Sequence, residues 1–222
     1  VFTLFITATH LDPAAAPDMD RVGFVVGGVP GLSHALIYTP AVAHDPYLDD
    51  GPPPALALQL YFADIADLES ACARDGALQR LPPFHGADIT QQAMLARKYP
   101  VPEPAPDLAC TYLVAYTGAA EDMNAWLSHY IYHHVPLMRR FPAIRGIEIC
   151  TRIDYCSFLS FRRVEYMQRN KNVFDSPEAL NAAINSPVRH EMRADFHKFP
   201  AFSGPTLHYP MLTRTVLPAR SA

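Results

Sequence analysis

The feature that most constrains this chain of 222 residues is that it repeats itself. Residues 3–9 (TLFITAT) resemble 111–117 (TYLVAYT) at an offset of 108, and 29–39 (VPGLSHALIYT) resemble 141–151 (FPAIRGIEICT) at 112. YFADIADLESA at 61–71 resembles VFDSPEALNAA at 173–183, again 112 apart. AMLARKYPV at 93–101 resembles PMLTRTVLP at 210–218, 117 apart. Four matches in one order, with slowly drifting offsets, indicate a tandem duplication rather than chance. The seam falls between Pro100 and Pro106, where each proline fixes φ and removes a backbone donor. Gly51-Pro52-Pro53-Pro54 is a second stiff connector, and the 22 prolines are about twice the usual share. The expected organisation is an N-terminal repeat over 1–99, a linker over 100–107 and a C-terminal repeat over 108–222.

Each half carries the same order of elements. In the second, 109–117 alternates as a strand, 120–140 is a helix, and 145–153 and 161–168 are strands. A helix over 176–198 opens with Ser176 as cap and Pro177 in the first turn, and breaks near Ser186-Pro187. A last strand covers 206–216. The first half repeats this order with a shorter first helix, about 17–27, stopped by Gly27-Gly28. The order βαββαβ predicts an α+β fold of two ferredoxin-like units, each with four antiparallel strands and two helices on one face. Each sheet has a bare apolar face, so the two are expected to pack sheet to sheet as an intramolecular pseudo-dimeric α+β barrel.

Composition narrows the function. Half of the residues are apolar and 18% charged, which excludes a disordered chain and leaves ample side chain for a core. A net charge of −4 provides no basic footprint, so no nucleic-acid partner is expected. No apolar run reaches the roughly 18 residues of a membrane span, so no membrane partner is expected. Val1 to Thr9 lack a basic segment and a small-residue cleavage site, so a signal peptide is not expected and the cytoplasm is the expected location. The start at Val rather than Met hints at a processed or partial chain. Cys72, Cys110, Cys150 and Cys156 form no CxxC pair and have no histidine at metal spacing; free thiols are expected. GxGxxG, P-loop, HExxH and GxSxG motifs are all missing from the sequence. No metal and no cofactor are therefore expected, and any chemistry should rest on acid–base groups in an apolar pocket.

The helix over 120–140 is the most informative segment. Met123, Leu127, Tyr130, Ile131, Met138 and Phe141 recur at spacings of three and four and define one apolar face. His134 falls in the middle of that face, and His133 at its edge beside Trp126 and Leu137. Burial disfavours the charged form of an imidazole and keeps it neutral, as a general base requires. The same position also suits a core histidine bonded to a backbone carbonyl. Pro136 inside the helix costs roughly 3 kcal/mol, which implies a kink that shapes a cavity or a helix that ends and restarts. Asp195, on a face with Val188, Met192 and Phe199, can orient His134 across the cavity or bond a backbone group. Tyr116, Tyr166 and His208 lie on expected strands, facing the cavity or packed in the barrel seam. His190, His197, Arg139-Arg140 and Arg162-Arg163 read as solvated surface.

Tyr132-His133-His134-Val135-Pro136-Leu137, followed by Phe141-Pro142-Ala143-Ile144-Arg145-Gly146, resembles the EthD-like family of the dimeric α+β barrel superfamily. The shared mark is His-x-Pro-Leu late in the first helix, then a short loop and a strand starting near glycine. Phe174 to Leu180 and Phe199-Pro200 are similar to later family segments, so the resemblance covers 109–217, with the first half as a degenerate copy. It implies a substrate site between the sheet's concave face and the two helices, with His134 in the place of the family histidine. Relatives include cofactor-free isomerases, dehydratases, decarboxylases, polyketide cyclases and oxygenases. Asn124 and Trp126 thinly resemble the Asn, Trp and His of cofactor-free oxygenases, and the motifs of dye-decolorising haem peroxidases are not recognisable. Aligning Pro142 with Pro30 sets Val22 opposite His134 and Arg21 opposite His133, so one site, in the second copy, is expected. The expected function is a cofactor-independent lyase or isomerase acting on a hydrophobic aromatic or polyketide-like small molecule. His134 is its base, with His133 and Tyr166 as further catalytic groups and Tyr116, Trp126, Asp195 and His208 around the substrate. The alternatives are a cofactor-free monooxygenase of the same superfamily and a non-catalytic small-molecule-binding protein. A homodimer is compatible with each.

Overall fold

A strand reads as a nearly unbroken apolar run when both of its faces are covered. Strands β1 (Phe2–Thr9) and β3 (Leu56–Phe62) are buried along most of their length, and β2 (Leu32–Pro40) at Leu32, Ala35, Ile37 and Tyr38. In the computed structural model, which describes residues 1–10 and 17–219, one face of each meets helices and the other faces the inside of a barrel. With β4 (Asp88–Tyr99) they lie in the order β4-β1-β3-β2. The second half supplies β5 (Leu108–Tyr116), β6 (Gly146–Arg152), the two-residue β7 (Arg162–Arg163), β8 (Gln168–Phe174) and β9 (Thr206–Val216). Four of these repeat the pattern as β9-β5-β8-β6. Two seams join the halves edge to edge: β2 against β9, with Ile37 opposite Arg214, and β4 against β6, with Ala96 opposite Cys150. The eight long strands thus close into one antiparallel ring, which removes the sheet edges. The expectation of two sheets stacked face to face is corrected to this extent: they share one hydrogen-bonded barrel.

Helices α1 (Met19–Gly27) and α2 (Ile65–Ala71) cover the first half of the barrel from outside. The second half is covered by one interrupted helix: α3 (Met123–His129), a π turn (Tyr130–His134) and α4 (Val135–Met138). Asp122 caps it, accepting from Asn124 N at 2.8 Å and Ala125 N at 3.0 Å. The π turn explains how Pro136 is tolerated. In an α-helix its ring would collide with the carbonyl four residues back, and the wider turn, in which Val135 N bonds Tyr130 O, relieves that crowding. Then come α5 (Pro177–Ile184) and α6 (Pro187–Phe196), separated at Ser186 as the proline spacing predicts. No helix among the described residues is long and apolar enough to cross a membrane.

The expected strand over 161–168 is not found. Only Arg162 and Arg163 pair there, parallel to β4, and the real strand is Gln168–Phe174. Its sequence, QRNKNVF, is too polar to resemble a covered strand. Both of its faces are nevertheless buried: Gln168, Asn170 and Asn172 point toward the helices, and Arg169 and Lys171 into the barrel. The barrel interior is correspondingly mixed rather than apolar. Tyr38 donates to Gln59 at 2.7 Å, while Gln59 (2.7 Å) and Tyr61 (2.8 Å) donate to Glu148 Oε1. Lys171 Nζ lies 3.5 Å from the same carboxylate and also donates to Tyr61. Burial opposes the charge on Glu148, but Lys171 and the two donors outweigh it and hold the carboxyl below its ordinary range. Removing one partner of such a pair strands a buried charge. Lys171→Met alone is expected to cost about 3–5 kcal/mol in urea unfolding, and the double change Glu148→Leu/Lys171→Met to regain most of it.

Candidate active site

The periodicity that places His134 inward is realised: the ring is 5% exposed, packed against Tyr130 and Phe199 at ring-centre distances of 4.9 Å. Its Nδ1 is 2.8 Å from Asp195 Oδ2 on α6, and His129 Nε2 is 3.1 Å from the other carboxylate oxygen. Burial lowers the His134 pKa below 6.5, and the opposing pull of Asp195 does not cancel it. Asp195 is itself resistant to protonation, because its bonds to His134 and His129 outweigh the cost of burying it. A neutral imidazole beside an ionised carboxylate carries its proton on Nδ1 and donates it to Asp195. Nε2 is then left as an acceptor.

That ring lines a pocket of about 530 Å³, mouth included, between the helix-facing side of the second-half sheet and α6. Tyr112, Val114 and Tyr116 of β5 form its floor, with Asn170 and Asn172 of β8 beside them. His208 of β9 and Arg189 of α6 complete the polar wall. Both amide atoms of Asn170, and Oδ1 of Asn172, are buried without a hydrogen-bond partner. An unpartnered buried polar atom costs about 1–3 kcal/mol, so two such side chains at one pocket mark a place for a polar ligand. Burial raises the hydroxyl pKa values of Tyr116 and Tyr130, which keeps both phenols protonated.

The first half also contributes, through the connection from Ala41 to Ala55. Asp45 accepts from Arg189 Nε at 2.9 Å and Nη2 at 3.0 Å, and from the Tyr112 hydroxyl at 2.9 Å. Asp50 Oδ2 lies 2.8 Å from His208 Nδ1, and Leu48 lines the pocket. His44 is tied to α5 through Asn181 and Asn185. The matching connection of the second half crosses the other way, where Leu159 is buried in the first-half core and Phe158 N donates to Cys72 O. Val22, opposite His134 in the repeat, is fully buried in that core. Apolar side chains therefore occupy the first half where the second has its polar pocket.

Of the residues singled out in the sequence, His134, Tyr116 and His208 line the pocket, and Asp195 stands behind His134 as its partner. The others are placed elsewhere. His133 is exposed and lies against His129 at a tilt, on the side of the helix turned away from the sheet. Trp126 is fully buried behind Tyr116, its Nε1 donating to Gln168 Oε1 at 3.2 Å, and does not reach the pocket. Asn124 is exposed. Tyr166 lines a different cavity, beside Arg169 inside the barrel. Sequence reasoning missed Arg189, Asn170, Asn172, Asp45 and Asp50. The polarity of 168–172 is a signal for Asn170 and Asn172, since a strand so polar must spend that polarity on something buried; Arg189, Asp45 and Asp50 had none. Among the described residues no cluster of His, Cys, Asp or Glu is placed to hold a metal, and the four cysteines are free.

No protein-family model matches the sequence, and no curated protein does. Solved structures match its fold. An anthrone oxidase-like protein aligns over 99% of this chain and 96% of its own, with a TM-score of 0.65 and 12% identity. A candidate monooxygenase from Fusobacterium nucleatum subsp. nucleatum ATCC 25586 aligns over 97% and 93%, with a TM-score of 0.57 and 8% identity. Another, from Lactobacillus acidophilus NCFM, aligns over 96% and 93%, with a TM-score of 0.54 and 9% identity. What the chain shares with these structures is its fold, a closed eight-stranded antiparallel ring with helices outside.

The His134 geometry fixes a sign for acid stability. Its folded pKa lies below the value of 6.5 taken for an unperturbed histidine, so the unfolded chain binds the proton that the folded one refuses. Stability should therefore fall as pH drops below that value, until the folded pKa is reached. Urea unfolding between about pH 5 and pH 7.5 is expected to show this slope in the wild type and a shallower one in His134→Gln.

Proposed function

We propose that the chain is an enzyme that uses His134 as a general base on a hydrophobic, aromatic or polyketide-like small molecule, without a cofactor. The observation that carries this reading is the buried neutral imidazole, anchored through Nδ1 by Asp195, in a pocket where the Asn170 amide and Asn172 Oδ1 have no partner. His134 Nε2 takes a proton from carbon beside a carbonyl, or from a phenol, and Asp195 stabilises the imidazolium that forms. The negative charge that develops on the substrate oxygen accepts from the Asn170 amide, with Tyr116 and Tyr130 as neutral donors at the same pocket. His208, held by Asp50, is a second acid–base group on another wall. Loss of a β-hydroxyl as water, or return of the proton to another carbon, makes the overall reaction an elimination or an isomerisation. The duplicated ferredoxin-like origin and the EthD-like resemblance of 109–217 belong to the same proposal, with the first half as the copy that lost its site.

A second reading shares the same base. The fold neighbours described as anthrone oxidase-like and as candidate monooxygenases favour dioxygen as the partner of the deprotonated substrate. A methylene between two aromatic rings and one molecule of O₂ would then yield a ketone and water. Turnover of phenolic and anthrone-type compounds, followed by oxygen uptake and by product mass, separates the two readings. His134→Ala is expected to lower kcat about 10²–10⁴-fold while the melting temperature changes little. Tight ligand retention with no turnover, unaltered in His134→Ala, would sink both readings in favour of a binding protein.

A further inference from the structure

The second half encloses three cations, Arg169 and Lys171 inside the barrel and Arg189 on α6 outside it, and two of them have a carboxylate. Lys171 has Glu148 and Arg189 has Asp45. Arg169 has no ion pair among the described residues. Its Nε makes one long bond, 3.4 Å, to Gln92 Oε1. The guanidinium lies over two rings, 4.9 Å from the centre of Phe5 and 4.6 Å from that of Tyr166. Ring faces offset part of the cost of enclosing a cation, but they leave its N–H fork without acceptors. Burial accordingly pulls the Arg169 pKa down to about 10.

The remaining face of Arg169 opens on a cavity of about 870 Å³ inside the barrel, mouth included. Phe5, Leu113, Tyr166 and Tyr209 form apolar and aromatic walls, and Pro52 and Pro54 lie at its margin. The Thr7 hydroxyl on the same wall is buried without a partner. A second charged couple, Arg162 with Asp88 at 2.6 Å, also borders the cavity but is neutral as a pair. The net field is therefore that of one cation in an apolar chamber. Strands β5 and β8 form the wall between this chamber and the His134 pocket: Leu113 and Arg169 face one side, Tyr112 and Asn172 the other, and Val114 and Asn170 border both.

We infer that the barrel interior is a second ligand site, distinct from the His134 pocket, which takes an aromatic or alicyclic monocarboxylate with its carboxylate on Arg169. The guanidinium fork matches two carboxylate oxygens. A dianionic phosphate would bring a second charge that nothing here neutralises, and a neutral ring would leave the arginine as it is.

The test titrates the full chain calorimetrically with 1-naphthoate and with its neutral counterpart 1-naphthamide. The acid is expected to bind at least about tenfold more tightly than the amide, and to lose at least about tenfold in Arg169→Gln. Leu113→Trp keeps the arginine and fills the chamber, so it should abolish binding even if Arg169→Gln fails to fold. Met138→Trp fills the His134 pocket and should leave naphthoate binding unchanged. Equal affinity for acid and amide, or no binding of the acid by the wild type, would overturn the inference. So would loss of binding in Met138→Trp with retention in Leu113→Trp.

Discussion

Closure of the barrel is the constraint on which the rest depends. The β2–β9 and β4–β6 seams tie the two halves into one ring, so no long strand keeps an unpaired edge. Closure also gives every strand a second buried face, turned toward the barrel axis, where a lone sheet would have met water. The chain fills that space partly with apolar groups such as Phe5, Met94 and Met211, and partly with the Glu148–Lys171 network. Charged groups on that inner face need partners there, and Arg169, with one long bond to Gln92 and no ion pair among the described residues, stands out beside the paired Lys171.

The two halves share a strand order but not a chemistry. Each sends the connection between its second and third long strands across to the helices of the other, and the two connections differ in what they carry. The second half delivers Leu159 to a core already closed by Val22. The first half delivers Asp45 and Asp50, which engage Arg189, Tyr112 and His208 at the edge of a pocket. The histidine and the acids that organise its surroundings thus come from opposite ends of the chain. The site is a property of the whole barrel, although His134 and Asp195 belong to one half.

Much of this was legible from local pattern. Helical spacing is enough to set His134 on a buried face and Asp195 on the face that meets it, because periodicity reports which side of a helix is covered. Ser176 marks one helix start by its cap and Pro177, and Ser186-Pro187 marks the break before the next by what proline forbids. Local pattern fails where the backbone leaves its ideal period or where burial is paid for by partners far away. His133, at the edge of the apolar face by helical spacing, lies outside it, on an exposed side of the π turn. Trp126 has the right residue type for a ligand wall but packs behind Tyr116. QRNKNVF looks like a loop because its acceptors and donors, Glu148, Tyr61 and Trp126 among them, are 20 or more residues away in sequence.

By itself, then, the sequence determined most of the order of strands and helices, the strand at 168–174 excepted, the breaks at proline, and the identity of the inward histidine. These follow from short-range rules: the period of side chains, the caps, and what proline forbids. The tertiary structure alone decided that the sheets close on each other, that the barrel holds an ion-paired centre, and that the first half covers the second half's pocket. Those outcomes depend on contacts between residues far apart in the chain, such as Asp45 with Arg189, 144 positions away, and Gln59 with Glu148, 89 away, and no local pattern encodes which distant group will satisfy a buried charge.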